Sequence, residues 1–86
     1  MEEALRQALR GAVQKALGGD WQAAHLVAQG HEGEPLANWL HAVVHRMEGD
    51  LGNASYWYGR CGRSLRKQVP TETELREIEA ALSERA

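Results

Sequence analysis

The sequence contains little cysteine or proline and few aromatic residues: its 86 residues include one cysteine, Cys61, two prolines and no phenylalanine. A single thiol excludes an intrachain disulfide framework and a zinc site built from several cysteines, and it fits a reducing compartment. No stretch approaches the ~20 apolar residues of a transmembrane helix. The N-terminal residues also lack the basic and apolar regions of a secretory signal. We therefore expect a cytoplasmic protein that does not bind membranes.

The charge balance lacks an excess of either sign. Ten Lys and Arg residues against twelve Asp and Glu residues give a net charge of −2. Because binding to nucleic acid through bulk charge requires a clear basic excess, we expect no nucleic-acid partner. With 43% hydrophobic and 26% charged residues, the composition is that of an ordinary globular domain. A chain of this length forms one domain with a small core.

Apolar residues recur at helical spacing along the whole chain, and no alternating strand pattern is present. The sequence predicts an all-α fold of about five helices, arranged as two antiparallel hairpins and a C-terminal capping helix. The single domain, 1–86, would then consist of a first hairpin at about 2–30, a second hairpin at about 34–66 and a capping helix at about 71–85. The fourth helix is predicted to continue to Leu65. Thr71 and Glu74 have the spacing of a capping box at the start of the last helix.

The chain matches itself at an offset of 30 residues. The dipeptides Gly19-Asp20 and Gly49-Asp50 occupy equivalent places between helices, and Ala24 matches Ala54. Self-similarity at a period of roughly 20 to 50 residues is typical of stacked helical hairpins. We therefore predict that each Gly-Asp dipeptide is a tight turn and that its aspartate caps the following helix.

The segment 49–61 resembles the turn and second helix of the tetratricopeptide repeat. Trp57, Tyr58 and Arg60 stand where that family has its aromatic and basic residues. The stretch 19–24 is similar to the same turn. The resemblance implies right-handed stacking of the two hairpins. It also implies a non-enzymatic module that binds another protein or a peptide.

The residues that we expect to contact such a partner are aromatic or cationic: Trp39, Tyr56, Arg60 and Arg63. The two arginines belong to a cationic segment, residues 60–67, which contains four Lys and Arg residues. A phosphate, a carboxylate or an acidic peptide would fit this segment, because arginine binds such groups through two parallel hydrogen bonds. Alternatively, the acidic residues of the last helix neutralise it.

A second group of polar residues lies on the third helix. His41, His45 and Glu48 are spaced i, i+4, i+7 and share one face. Such residues can ligate one metal ion, with His25 as a further ligand if the second helix faces them. The sequence favours the alternative, in which they form the polar side of an amphipathic helix and bind no metal or other cofactor. No motif for nucleophilic or nucleotide chemistry is present, so we expect no catalytic residues and no enzyme.

The first hairpin has an apolar side that this scheme leaves without a cover, at Leu5, Leu9 and Val13. A symmetric dimer is the commonest way to bury such a surface.

Taken together, the helical repeat and the resemblance favour a protein- or peptide-binding helical-repeat module. A metal- or ligand-binding protein that uses the His and Glu residues, and a structural homodimer, are the alternatives.

Overall fold

The computed structural model describes residues 1–83, and within that range the chain is helical and contains no strand. The five helices are α1 (Glu3–Leu17), α2 (Trp21–Gln29), α3 (Pro35–Glu48), α4 (Leu51–Arg60) and α5 (Thr71–Ser83). The all-α prediction of two hairpins followed by a C-terminal helix is confirmed. Residues 84 and 85 of the predicted capping helix lie outside the described part of the chain. None of the helices in residues 1–83 is long and apolar enough to cross a bilayer.

The repeated Gly-Asp dipeptides are the turns inside the two hairpins, as predicted. Gly19 and Gly49 have φ angles of 93° and 90°, in the left-handed region that glycine adopts at little cost. Each of the following aspartates, Asp20 and Asp50, accepts a hydrogen bond from the backbone N–H three residues later, at 3.1 Å. The dipeptide therefore ends one helix and caps the next, which explains why the sequence repeats it.

Helix α3 is the central element and packs against α1, α2, α4 and α5. Every residue from 37 to 45 is buried, including Asn38 and His41 at 4% and 3% exposure. On the polar side of α3, which the sequence favoured as the face of an amphipathic helix, His41 and His45 therefore lie inside the protein, whereas Glu48 at the end of the helix is exposed. Buried polar residues of this kind must find partners in the interior.

Helix α4 ends at Arg60, five residues before the predicted end at Leu65. Gly62 has a φ angle of 72° and reverses the chain. The N–H of Arg63 donates to the carbonyl of Tyr58 at 2.8 Å, and this bond is characteristic of the Schellman motif at helix C-termini. The apolar spacing of the sequence continues past this point, but the glycine conformation ends the helix.

Helix α5 packs against both α1 and α3. It covers the apolar side of the first hairpin, which the sequence analysis expected to be buried in a dimer. Leu9 and Val13 are 1% and 0% exposed, and the Arg6 side chain donates to the Leu82 carbonyl. The expectation that this apolar side lacks a cover was wrong, and it gives no reason for a dimer.

Glu74 lies in the core at 1% exposure and joins α5 to α3 and α4. Its carboxylate accepts hydrogen bonds from Trp39 Nε1 at 2.7 Å, Tyr58 Oη at 2.6 Å and Arg46 at 2.7 Å. Burial and the contact with Glu74 raise the pKa of Tyr58 above its usual range. The capping box predicted for Thr71 and Glu74 is therefore wrong, because the carboxylate turns inward to satisfy three buried donors.

Replacing Ala54 by leucine tests the close packing of the second hairpin. Ala54 is completely buried on α4, and α3 is the helix that α4 packs against. The larger side chain should overpack this contact and lower the free energy of unfolding by ~1–3 kcal/mol, as urea denaturation would measure. Ala8→Leu, at an exposed position of α1, is the matched control and should change it by less than about 0.5 kcal/mol. Equal stabilities of the two variants would contradict the packing.

Candidate metal site

Three histidines from two helices converge beside the first hairpin. His25 comes from α2, while His41 and His45 lie one turn apart on α3, which packs against α2. One ring nitrogen from each can be chosen so that all three lie within 4.8 Å of one another. The sequence offered His25 as a ligand only if α2 faced α3 at this place, and it does.

The three rings form a compact aromatic cluster with Trp57. The centroid of the His25 ring lies 4.7 Å from that of His41 and 5.2 Å from that of His45, and both contacts are edge to face. His41 is stacked between the His45 ring at 5.0 Å and the indole of Trp57 at 3.8 Å. Trp57 therefore holds the His41 ring from the side of α4. The sequence spacing gave no sign of this contact, because it joins two helices.

His41 is the most deeply buried member of the cluster, at 3% exposure, and its Nδ1 atom has no hydrogen-bond partner within residues 1–83. A buried polar atom without a partner is rare and costs free energy, so it calls for an explanation. Burial, followed by the proximity of His25 and then His45, lowers the pKa of His41 to about 4. The ring is therefore neutral near pH 7 and retains a free lone pair, as a metal ligand requires.

Glu48 holds the third histidine in place. Its carboxylate lies 2.5 Å from Nδ1 of His45, which leaves Nε2 as the nitrogen available to a ligand. A carboxylate on the distal nitrogen of a ligating imidazole fixes the ring and strengthens its basicity. Asp50 belongs to a group with His45 and Glu48, but both of its oxygens accept hydrogen bonds from Asn53.

A pocket of about 390 Å³ opens beside the cluster, between α2 and α3. Six residues line it: Trp21, Gln22, His25, Leu26, His45 and Glu48. Two of the three histidines therefore face a space that solvent and ions reach, while His41 lies behind them. No known protein family, curated protein or solved structure matches this chain. The resemblance to the tetratricopeptide repeat stays a prediction, and the histidine cluster has to be judged on its own geometry.

A shared metal ion would require small movements of this cluster. Tetrahedral zinc, with Zn–N bonds of about 2.0–2.1 Å, holds its nitrogens about 3.3–3.4 Å apart. The rings of His41 and His45 are inclined by only 18°, whereas an ion lies in the plane of each imidazole that binds it. One ring must therefore turn. We expect the His45 ring to turn, because stacking on Trp57 restrains the His41 ring. The Glu48 side chain is 31% exposed and can move together with His45, which keeps their contact.

The residues predicted to contact a partner lie on three parts of the chain: Trp39 on α3, Tyr56 and Arg60 on α4, and Arg63 in the segment after α4. Tyr56 is 55% exposed and accepts a hydrogen bond from Arg60 at 3.0 Å. Trp39 is 4% exposed. The guanidinium of Arg63 covers it, with its central carbon 3.4 Å from the Trp39 ring centroid. The structure thus places these four residues in two arginine–aromatic pairs, Arg60 with Tyr56 and Arg63 with Trp39.

Proposed function

We propose that this protein binds one divalent transition-metal ion, of the zinc type, through His25, His41 and His45. Two observations carry the proposal: ring nitrogens of three imidazoles converge within 4.8 Å of one another, and one of these rings, His41, has a buried Nδ1 atom without a hydrogen-bond partner within residues 1–83. Imidazole nitrogen is a preferred ligand of Zn²⁺, Cu²⁺ and Ni²⁺. An ion bound to Nδ1 of His41 would supply the partner that this buried atom lacks within residues 1–83.

The electrostatics of the cluster favour a cation. The pKa of His41 is lowered to about 4, so metal binding near neutral pH displaces no proton from this ring. Glu48 adds a carboxylate against His45 at 2.5 Å, which partly offsets the charge of a bound ion. Three protein ligands leave a fourth position of a tetrahedral ion open. The pocket beside His25 and His45 gives that position access to water or to a small ligand.

The interaction module favoured by the sequence has less support. Helix α5 packs against α1 and α3, which are the first helices of the two hairpins, and so occupies the face that they share. The exposed large apolar side chains of the described residues are Met1, Leu26, Leu51 and Tyr56. Single exposed side chains of this kind are common on folded proteins and do not by themselves indicate a partner surface. Binding of another protein or peptide stays a prediction.

Metal titration of the untagged protein tests the proposal. Isothermal titration with ZnCl₂ near neutral pH should give one ion per chain, and Co²⁺ should develop the visible absorption bands of a tetrahedral site. His25→Ala should weaken Zn²⁺ binding by more than about tenfold, because it removes a direct ligand. Glu48→Gln should weaken binding by about 10–100-fold through the loss of its contact with His45.

The fourth histidine of the chain supplies the matched control. His31 lies in the turn after α2 and outside the cluster, so His31→Ala should leave the affinity unchanged. Circular dichroism of each variant would confirm that it is folded. Absence of Zn²⁺ binding in the wild-type protein, or equal losses in the His25 and His31 variants, would contradict the proposal.

A further inference from the structure

A cationic segment follows α4, and the fold neutralises only part of it. Between Asp50 and Glu72 the sequence has no acidic residue, whereas residues 60–67 carry four cations. Arg66 donates to Glu77 at 2.5 Å, so α5 supplies one counter-charge to this segment, as the sequence allowed. Glu74 is 3.8 Å from Arg66, but it already accepts hydrogen bonds from three buried donors.

Arg63 is held in place without a salt bridge to an acidic residue of the described chain, although, after the hydrogen bond from Arg66, its charge contributes to lowering the pKa of Glu77. Within residues 1–83 its guanidinium makes no hydrogen bond or salt bridge and instead lies 3.4 Å from the centroid of the Trp39 ring. Trp39 is itself fixed, since its Nε1 donates to the buried Glu74 at 2.7 Å. A guanidinium stacked on a rigid indole keeps the N–H groups of its edge available. It also loses less conformational freedom on binding than a mobile side chain would.

A pocket of about 310 Å³ lies beside this arginine, lined by Gly62, Arg63, Ser64, Arg66 and Glu74. Two guanidiniums and one hydroxyl supply its hydrogen-bond donors. The glycine reverses the chain after α4, and the Arg63 N–H donates to the Tyr58 carbonyl, so the position of Arg63 follows from the helix terminus. The pocket thus combines Arg63, which makes no salt bridge within residues 1–83, with Arg66, which is already paired with Glu77. The Glu74 carboxylate, which also lines the pocket, is held by its three donors.

We propose that this pocket binds the phosphate group of a small phosphate monoester. Arginine forms paired, charge-assisted hydrogen bonds with phosphate oxygens, and the hydroxyl of Ser64 offers a further donor. A carboxylate has two oxygens and one negative charge, and a single guanidinium satisfies it. A phosphate dianion with three oxygens can use donors from Arg63, from Ser64 and from the N–H groups of Arg66 that do not bond to Glu77. The volume exceeds that of phosphate alone and leaves space for a small organic substituent.

Titrations of the full chain with three probes test this site. Calorimetry should detect binding of glycerol 3-phosphate, weaker binding of inorganic phosphate, and much weaker binding of acetate. In a ¹⁵N-labelled sample the Arg63 Nε–H signal should shift on addition of the monoester. Arg63→Gln should lower the affinity for the monoester by about tenfold or more, as expected for the loss of charged hydrogen bonds. Arg63→Lys, which keeps the charge but not the paired donors, should give an intermediate loss.

Arg60→Gln is the matched control. It removes the same charge from the same segment, but Arg60 bonds to the Tyr56 hydroxyl and does not line the pocket. Its affinity should stay within about twofold of the wild-type value at fixed ionic strength, because exposed charges act weakly through salt solution. Equal losses of monoester affinity in the Arg60 and Arg63 variants would mean that binding depends only on the overall charge of the segment. That result would overturn the proposal. Acetate binding as tight as that of the monoester, or no binding of any phosphate by the folded wild type, would also overturn it.

Discussion

Replacing Glu74 by alanine should lower the free energy of unfolding by about 3–5 kcal/mol, the range measured when one partner of a buried ion pair is removed. Arg46 would keep its charge at 8% side-chain exposure with no carboxylate beside it. Trp39 and Tyr58 would each lose the acceptor of a buried hydrogen bond. Urea denaturation followed by far-ultraviolet circular dichroism measures this loss. The free energy of unfolding of a native protein is only about 5–15 kcal/mol. The Glu74→Ala variant should therefore be close to unfolding.

Glu72→Ala, an exposed position on the same helix, is the control and should change stability by less than about 0.5 kcal/mol. A double variant, Glu74→Leu with Arg46→Met, separates the effect of charge from that of packing. Apolar residues of similar volume often replace a buried ion pair without loss, but Trp39 Nε1 and Tyr58 Oη still lack their acceptor in this variant. Only the part of the loss that comes from the unpaired charge of Arg46 should therefore be recovered. If Glu74→Ala were no less stable than Glu72→Ala, the buried network would not contribute as the structure implies.

Acidification should destabilise the metal-free protein through His41. Its pKa is lowered from 6.5 to about 4 in the folded state, so below pH 6.5 the unfolded chain takes up a proton that the folded protein does not. The stability contributed by the neutral ring is fully present above pH 6.5. It falls as the pH is lowered towards about 4, by about 3 kcal/mol over that interval. Denaturation in the presence of a chelator, at a series of pH values, measures this change.

The slope of the free energy of unfolding against pH tests whether His41 causes the loss of stability in acid. In His41→Gln the slope between pH 6.5 and 4 should be shallower than in the wild type by up to about 1.4 kcal/mol per pH unit, the value for one proton. His31→Gln, which removes a histidine outside the cluster, should retain the wild-type slope. His25 and His45 are the titratable groups that face His41. An unchanged slope in His41→Gln would contradict the assignment of the acid sensitivity to His41.

Local patterns in the sequence predicted the helices and their turns. Gly49 and Asp50 act through their own backbone and their near neighbours, so the dipeptide alone indicates a turn and a cap. Likewise, the spacing of His45 and Glu48 placed these side chains in contact, which the 2.5 Å distance confirms. Interactions within one or two helical turns are accessible to such reasoning, since helix geometry fixes them.

Contacts between distant segments were the part that sequence patterns did not determine. Glu74 has the spacing of a capping box, but Trp39, Arg46 and Tyr58 place three donors in the core, and Glu74 of α5 is the acceptor that they share. The stacking of Trp57 on His41 depends in the same way on how α4 packs against α3. Periodicity assigns a residue to a helix face, but it does not say which neighbour covers that face.

The contacts of α5 change how the chain is expected to come apart. Each helix of the series α1, α2, α3, α5 touches the next, and α5 returns to α1, so the helices form a closed circuit. In an open solenoid every unit touches only its neighbours, and the end units fray independently. Here the release of α1 uncovers α5, and the release of α5 uncovers α1 and removes Glu74 from Arg46. We therefore expect the two hairpins to unfold in one cooperative transition, with neither stable as a separate repeat.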